Sequence, residues 1–115
     1  MRICFKTKKL QKECSHKKVM IKCYGKMATK LAQRLSELSA ADSLQDIFYL
    51  PPPRLHELTG NLAGQFSVDL DYPYRLLFVP AHDPVPELGD GGIDRSQVTE
   101  IEIIKIENTH KGGRS

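Results

Sequence analysis

Gly64-Gln65-Phe66-Ser67-Val68-Asp69-Leu70, followed across Asp71-Tyr72-Pro73 by Tyr74-Arg75-Leu76-Leu77-Phe78-Val79, sets the architecture. In the first run Phe66, Val68 and Leu70 alternate with Gln65, Ser67 and Asp69, the period of a strand with one buried face. The second run is a more apolar strand, and the short turn between them makes a hairpin. In it Tyr74, Leu76 and Phe78 face the core, so Arg75 points to the opposite, open face. Working outward, residues 97–107 form the last strand, whose alternation changes phase at Ile103-Ile104, a sign of a bulge or of cover on both faces. Residues 54–58 are extended, after Pro51-Pro52-Pro53 has stopped any helix.

The first half reads as helical. Residues 2–6 are a short strand, and Thr7 caps a helix over residues 8–17. A second helix covers residues 19–39, with Met27, Leu31, Leu35 and Leu38 on one apolar face and Gly25 as a weak point. Ser43 caps a further short turn with Leu44, Ile47 and Phe48 inward. The expected order is β-α-α-β-β-β: an α+β fold, as a single domain over residues 1–115, with two N-terminal helices packed on one face of an antiparallel sheet. The other sheet face is left for solvent, a ligand or a partner. Residues 80–96, rich in Pro and Gly, form a long and mobile loop.

The chain has 115 residues, 27% of them charged and 40% hydrophobic, which excludes a disordered polymer. No apolar run approaches the ~20 residues of a membrane span, and lysines directly after Phe5 predict no secretory leader. Three cysteines, Cys4, Cys14 and Cys23, with no CxxC pair predict core thiols in a reducing cytoplasm. Net charge is +3, but residues 1–34 carry eleven Lys and Arg against Glu13 alone, net +10, and the remainder is net −7. That asymmetry predicts a polyanion-facing surface on the first half. Lys18, Lys22, Lys26, Lys30 and Arg34 step by four, a drifting basic stripe if the helix is continuous.

No phosphate-cradling loop, HExxH or GxSxG is present. Cys14, His16 and Cys23 supply three metal-ligand types at a spacing that matches no common zinc site, so no metal is expected. His16 and His82 are expected on the surface, and Tyr72 and Tyr74 in packing. His56 in an extended segment, Arg75 on a strand and His110 just past the last strand are the residues able to converge on one sheet face. Two histidines to move protons and a guanidinium to stabilise phosphorane charge suit RNA cleavage without metal.

The series Pro53-Arg54-Leu55-His56-Glu57-Leu58-Thr59-Gly60, then Gly64 to Leu70, then Tyr74-Arg75-Leu76-Leu77-Phe78, with the closing strand and His110, resembles the RelE/ParE toxin superfamily in its HigB-like (host inhibition of growth) branch. The resemblance covers roughly residues 26–111. It implies a bacterial type II toxin, a cytoplasmic mRNA endonuclease (mRNA interferase) acting in the ribosomal A site. It also implies a cognate antitoxin, the 70S ribosome and mRNA as partners, and neither cofactor nor membrane. Carried over, His56, Arg75 and His110 are the catalytic set, and Arg54, Lys18, Lys22, Lys26, Lys30 and Arg34 are the RNA-binding candidates. The chain departs from the family at Thr59, where lysine is common, and at Asn108 and Thr109, where the family has Asp-Tyr. Asn108 and Thr109 keep open a non-catalytic or degenerate toxin-like regulator, and a ParE-like gyrase inhibitor is a further alternative within the superfamily.

Overall fold

A computed structural model describes residues 1–109. Its elements are strand β1 (Arg2–Phe5), helices α1 (Lys8–Glu13), α2 (Lys17–Tyr24), α3 (Met27–Ala40) and α4 (Leu44–Phe48), then strands β2 (His56–Glu57), β3 (Phe66–Asp69), β4 (Tyr74–Pro80) and β5 (Glu100–Asn108). The fold is α+β, with four helices among the described residues and one five-stranded sheet of order β1-β5-β4-β3-β2. His110 lies outside the described residues.

The hairpin forms as its alternation requires. β3 and β4 are antiparallel, with Phe66 opposite Phe78 and Val68 opposite Leu76, and all four are fully buried. The Phe66 and Phe78 rings stack at 6.0 Å. The phase change in β5 is a bulge: Leu77 pairs with Lys105 while Phe78 pairs with Ile103, so Ile104 is the extra residue.

Three expectations are corrected. The sheet is mixed, because β1 runs parallel to β5, Ile3 opposite Ile101 and Phe5 opposite Ile103. Parallel pairing needs a long crossover, and here the helices and the hairpin all lie between the two strands. The long second helix is two, because Gly25 adopts φ +59° and ends α2. Glycine tolerates that positive-φ backbone, which residues with a side chain rarely adopt. Phe48 is not inward: it is 45% exposed, with the Arg95 guanidinium 4.0 Å over its ring.

The helical layer packs on the face carrying Phe66, Val68, Leu76, Phe78, Ile101 and Ile103, through Leu10, Met20, Met27, Leu31, Leu38, Leu44 and Ile47. Thr7 caps α1 by accepting from the Leu10 N–H at 3.1 Å. Of the three cysteines Cys14 is buried, Cys4 half-buried and Cys23 exposed. The segment after β4 is tied down, against the expectation of a mobile loop. His82 Nε2 accepts from the Thr99 N–H at 3.1 Å and from the Glu100 N–H at 3.3 Å, and Glu87 bridges to Ile93. No helix among the described residues is long and apolar enough to cross a membrane.

Arg34 also departs from expectation. It is 4% exposed, so it does not belong to an exposed RNA-binding stripe. Its Nε donates to the Asp69 carbonyl at 2.7 Å, Nη1 to Glu37 at 2.9 Å and Nη2 to the Pro52 carbonyl at 3.0 Å. Each of these is a charge-assisted bond from a guanidinium that is itself almost wholly buried. Arg34→Ala should therefore destabilise the fold by about 3 kcal/mol, measured as a shift in the denaturant midpoint followed by circular dichroism.

Burial pushes the Cys14 thiol up from 9.0 to about 11, helped by the nearby Glu13 carboxylate and Cys23. A raised folded pKa contributes stability that is fully present below the unfolded pKa, near 9, and is lost as pH rises toward 11. Denaturant midpoints should fall across that window, and Cys14→Ala should flatten the fall relative to the parent chain.

Candidate functional site

The sheet face away from the helices is built by register. His56 pairs with Ser67, and Ser67 with Leu77. One row further along, Asp69 pairs with Arg75, and Arg75 with Glu107. Alternation places all of these side chains on the face opposite the core. That face is not fully open: Ser67 and Leu77 are buried, and Leu62 and Gln65 share a shallow pocket with Leu77.

Above Ser67 lies a groove of about 490 Å³, lined among others by Arg54, His56, Asp69, Tyr72, Arg75 and Thr109. Its size falls within the roughly 300–1,000 Å³ common for small-ligand sites. The structure thus brings Arg54, His56 and Arg75 together from three separate segments. β2 and β4 flank β3 and Arg75 lies one row beyond the His56–Ser67–Leu77 row, so His56 and Arg75 arise roughly 12 Å apart at the backbone, two interstrand spacings across and two residues along. The small Ser67 side chain lies between them. Thr109 closes one end, with its N–H and its hydroxyl both donating to the Pro73 carbonyl, at 2.9 and 2.8 Å.

Arg54 is the one non-glycine residue with positive φ among those described, at +49°. That conformation costs an L-residue roughly 1–2 kcal/mol. It follows the three prolines, and its N–H donates to the Pro51 carbonyl at 3.2 Å, so the turn imposes it. Its guanidinium reaches Asp69 at 3.2 Å and stays largely exposed.

Arg75 is held more firmly. Glu107 Oε2 accepts from its Nε at 2.6 Å and lies 2.5 Å from its Nη2. Lys105 stands 3.5 Å from the other Glu107 oxygen. The row therefore reads Arg54, Asp69, Arg75, Glu107, alternating in sign across the sheet. Sequence reading missed Glu107, although its position two residues beyond Lys105 on the same strand gave it the same face. It also misplaced Tyr72 and Tyr74 as packing residues: Tyr72 is 81% exposed and Tyr74 37% exposed, and both line the groove.

The remaining RNA-binding candidates lie elsewhere. Lys18 and Lys22 are exposed on α2, Lys26 is exposed at the N-cap of α3, and Lys30 is half-buried on α3. Gly25 separates the two pairs, so they do not form one continuous stripe. Together with Lys8, Lys9, Lys12 and Lys17, all exposed, they make a basic surface on the helices, and none of them lines the groove. Glu13, the acid of that region, accepts from the Tyr24 hydroxyl at 2.7 Å. Burial and this bond to Glu13 hold the Tyr24 pKa well above the ordinary phenol value. Among the described residues no group of three His, Cys, Asp or Glu side chains is arranged to hold a metal ion.

No family model matches the chain, and neither does any curated protein or solved structure.

Two guanidiniums and an imidazole on one groove suit an anion, but Asp69, Glu57 and Glu107 nearly balance their charge. Removing one carboxylate charge should therefore favour an anionic ligand. Glu107→Gln keeps an acceptor for Arg75 and should tighten inorganic phosphate binding about fivefold, the effect of roughly 1 kcal/mol between unit charges 4 Å apart in water. Phosphate titration followed by NMR at the Arg75 Nε–H would measure it.

Proposed function

We propose that the chain is a metal-independent endoribonuclease of the toxin type, cutting mRNA on the ribosome in the cytoplasm and restrained by a cognate antitoxin. The observation that carries the reading is the groove that assembles Arg54, His56 and Arg75 beside an exposed tyrosine. We read the arrangement of helices on a sheet with this face exposed as RelE-like.

In this reading the ribose 2′-OH attacks the adjacent phosphorus and the P–O5′ bond breaks. His56 takes the proton from the 2′-oxygen. His110, next in the chain after the groove residue Thr109, gives a proton to the leaving 5′-oxygen. Arg75 cannot deprotonate at physiological pH, so it stabilises the charge on the phosphorane, and Glu107 fixes its orientation. Arg54 contacts a flanking phosphate. The products are a 2′,3′-cyclic phosphate and a 5′-hydroxyl. The lysines of α1 and α2 do not line the groove, which suits a particle large enough to meet both surfaces, as a ribosome carrying mRNA is.

A second reading is favoured by the Arg75–Glu107 pair. A guanidinium neutralised by its neighbour suits a non-catalytic, toxin-like regulator.

Controlled expression in bacteria, with mRNA 5′ ends mapped while translation runs and while it is blocked, separates the two. The chain should arrest growth and cut only translated mRNA. Arg75→Ala should abolish both effects, and His56→Ala should slow cleavage on the order of 10²–10⁴. Cleavage should persist in EDTA. Unchanged growth on high-level expression, or full cleavage by a His56→Ala, His110→Ala double variant, would refute the assignment.

A further inference from the structure

One edge of β5 is only half covered. β1 accompanies it as far as Ile103, whose carbonyl accepts from the Lys6 N–H at 2.9 Å, and the chain then turns away into α1. β5 runs on to Asn108. Register fixes where its remaining backbone groups point. The Leu70 N–H donates to the Tyr74 carbonyl at 3.1 Å, so Tyr74 and Leu76 bond to β3, and Arg75 and Leu77 bond to β5. Their partners Glu107 and Lys105 are therefore the residues of β5 bonded to β4, in phase with Thr109, whose N–H donates to the Pro73 carbonyl. Ile106, between Lys105 and Glu107, turns its N–H and C=O the other way. They point to the side that β1 has left, where no described residue meets them.

Two cavities flank this edge. One of about 310 Å³, against the helices, is lined by Leu10, Tyr24, Ile104 and Ile106, with Lys9 and Glu13. The other, of about 420 Å³, brings Lys6 and Lys105 to the same edge beside Leu77 and Glu107. The two carboxylates are engaged: Glu13 accepts from the Tyr24 hydroxyl at 2.7 Å, and Glu107 is shared by Arg75 and Lys105. Lys6, Lys9 and Lys105 are all exposed and leave the edge positive. Lysines on a strand edge discourage pairing with a like edge, and a second copy would set the same lysines against one another. They do not oppose an acidic strand.

We infer that the edge at Ile106 takes an extended segment of another protein, one in which apolar and acidic residues alternate. The segment lies in line with β1 and exchanges main-chain hydrogen bonds with Ile106. Successive side chains of a strand point to opposite faces, so the apolar ones enter the cavity beside Leu10 and Ile106 and the acidic ones meet Lys6 and Lys105. None of His56, Arg75 and His110 takes part, so the interaction is independent of the nuclease reading.

The probe is a short, end-blocked peptide of alternating valine and glutamate, added to the full chain and followed by amide hydrogen exchange in NMR spectra. In the free chain the Ile106 amide should exchange faster than those of Lys105 and Glu107, which are bonded to β4. Saturating peptide should slow Ile106 exchange on the order of tenfold or more. Lys105→Glu should raise the peptide Kd about fivefold. A peptide N-methylated at alternate residues keeps the charges but loses the N–H donors that face the edge, and it should not bind. No binding of the unmethylated peptide, equal binding of the N-methylated one, or equal binding of a valine–lysine peptide would each overturn the inference. If the Ile106 amide is already protected in the free chain, in step with protein concentration, a second copy holds the edge and the inference falls. A chain that cuts no mRNA yet binds the peptide in this way ends the nuclease reading and leaves the edge site standing.

Discussion

The buried guanidinium of Arg34 is the constraint on which the groove depends. A charge in this position is tolerated only where acceptors meet it, and each of the three guanidinium nitrogens, Nε, Nη1 and Nη2, has one. Those acceptors come from three places: Glu37 on its own helix, the Asp69 carbonyl at the end of β3 and the Pro52 carbonyl in the proline stretch. The Asp69 N–H then donates to the Pro53 carbonyl at 2.8 Å. The end of β3 and the proline stretch are therefore fixed to each other and to the helical layer. Arg54 follows directly, forced into its left-handed conformation, and its guanidinium meets the Asp69 side chain. One residue on the helical side of the sheet thus positions a rim of the groove on the other side.

The same economy governs the charges within the groove. Cross-strand register sets Asp69, Arg75 and Glu107 in a row, Arg54 extends it to alternating sign by reaching Asp69 from the proline turn, and opposite charges directly opposite one another stabilise a sheet. The pairing orients the guanidiniums but also weakens their field. An isolated phosphate meets a groove close to neutral.

Much of this was legible in the sequence where the signal was local. The alternation of Phe66, Val68 and Leu70 gave β3 and its buried face, and Ile103-Ile104 marked the bulge. The open-face position of Arg75 followed from its apolar neighbours, and Gly25 marked the break between helices. What stayed hidden depended on distant partners. Arg34 fell in step with the lysines at spacing four, and only Pro52, 18 residues away, and Asp69, 35 away, make it a core residue. The alternation of Ile3 and Phe5 fits a strand running either way, so the parallel pairing of β1 with β5 was not decidable from it. Glu107 carried no signal until register set it opposite Arg75. Tyr72 looked like an ordinary turn residue because exposure is a property of the surrounding chain, and His82 looked unattached because its two donors lie beyond the loop.

The uneven distribution of charge along the chain now has a spatial meaning. The acidic part supplies the carboxylates that neutralise its own arginines, so its excess does not oppose the basic part across a cleft. The basic part loses Arg34 to the core, and its exposed lysines remain on α1, α2 and the start of α3 with Glu13 engaged by Tyr24. Long-range attraction of a polyanion is therefore a property of the helical surface, and local geometry a property of the groove. The two lie on opposite sides of one sheet, joined through Arg34. A partner that covers the lysines weakens capture without touching the groove, whereas one that fills the groove leaves capture intact. In the proposed function these are different ways of restraining the chain, and salt tells them apart, because only the first removes the counterion-release contribution to RNA binding.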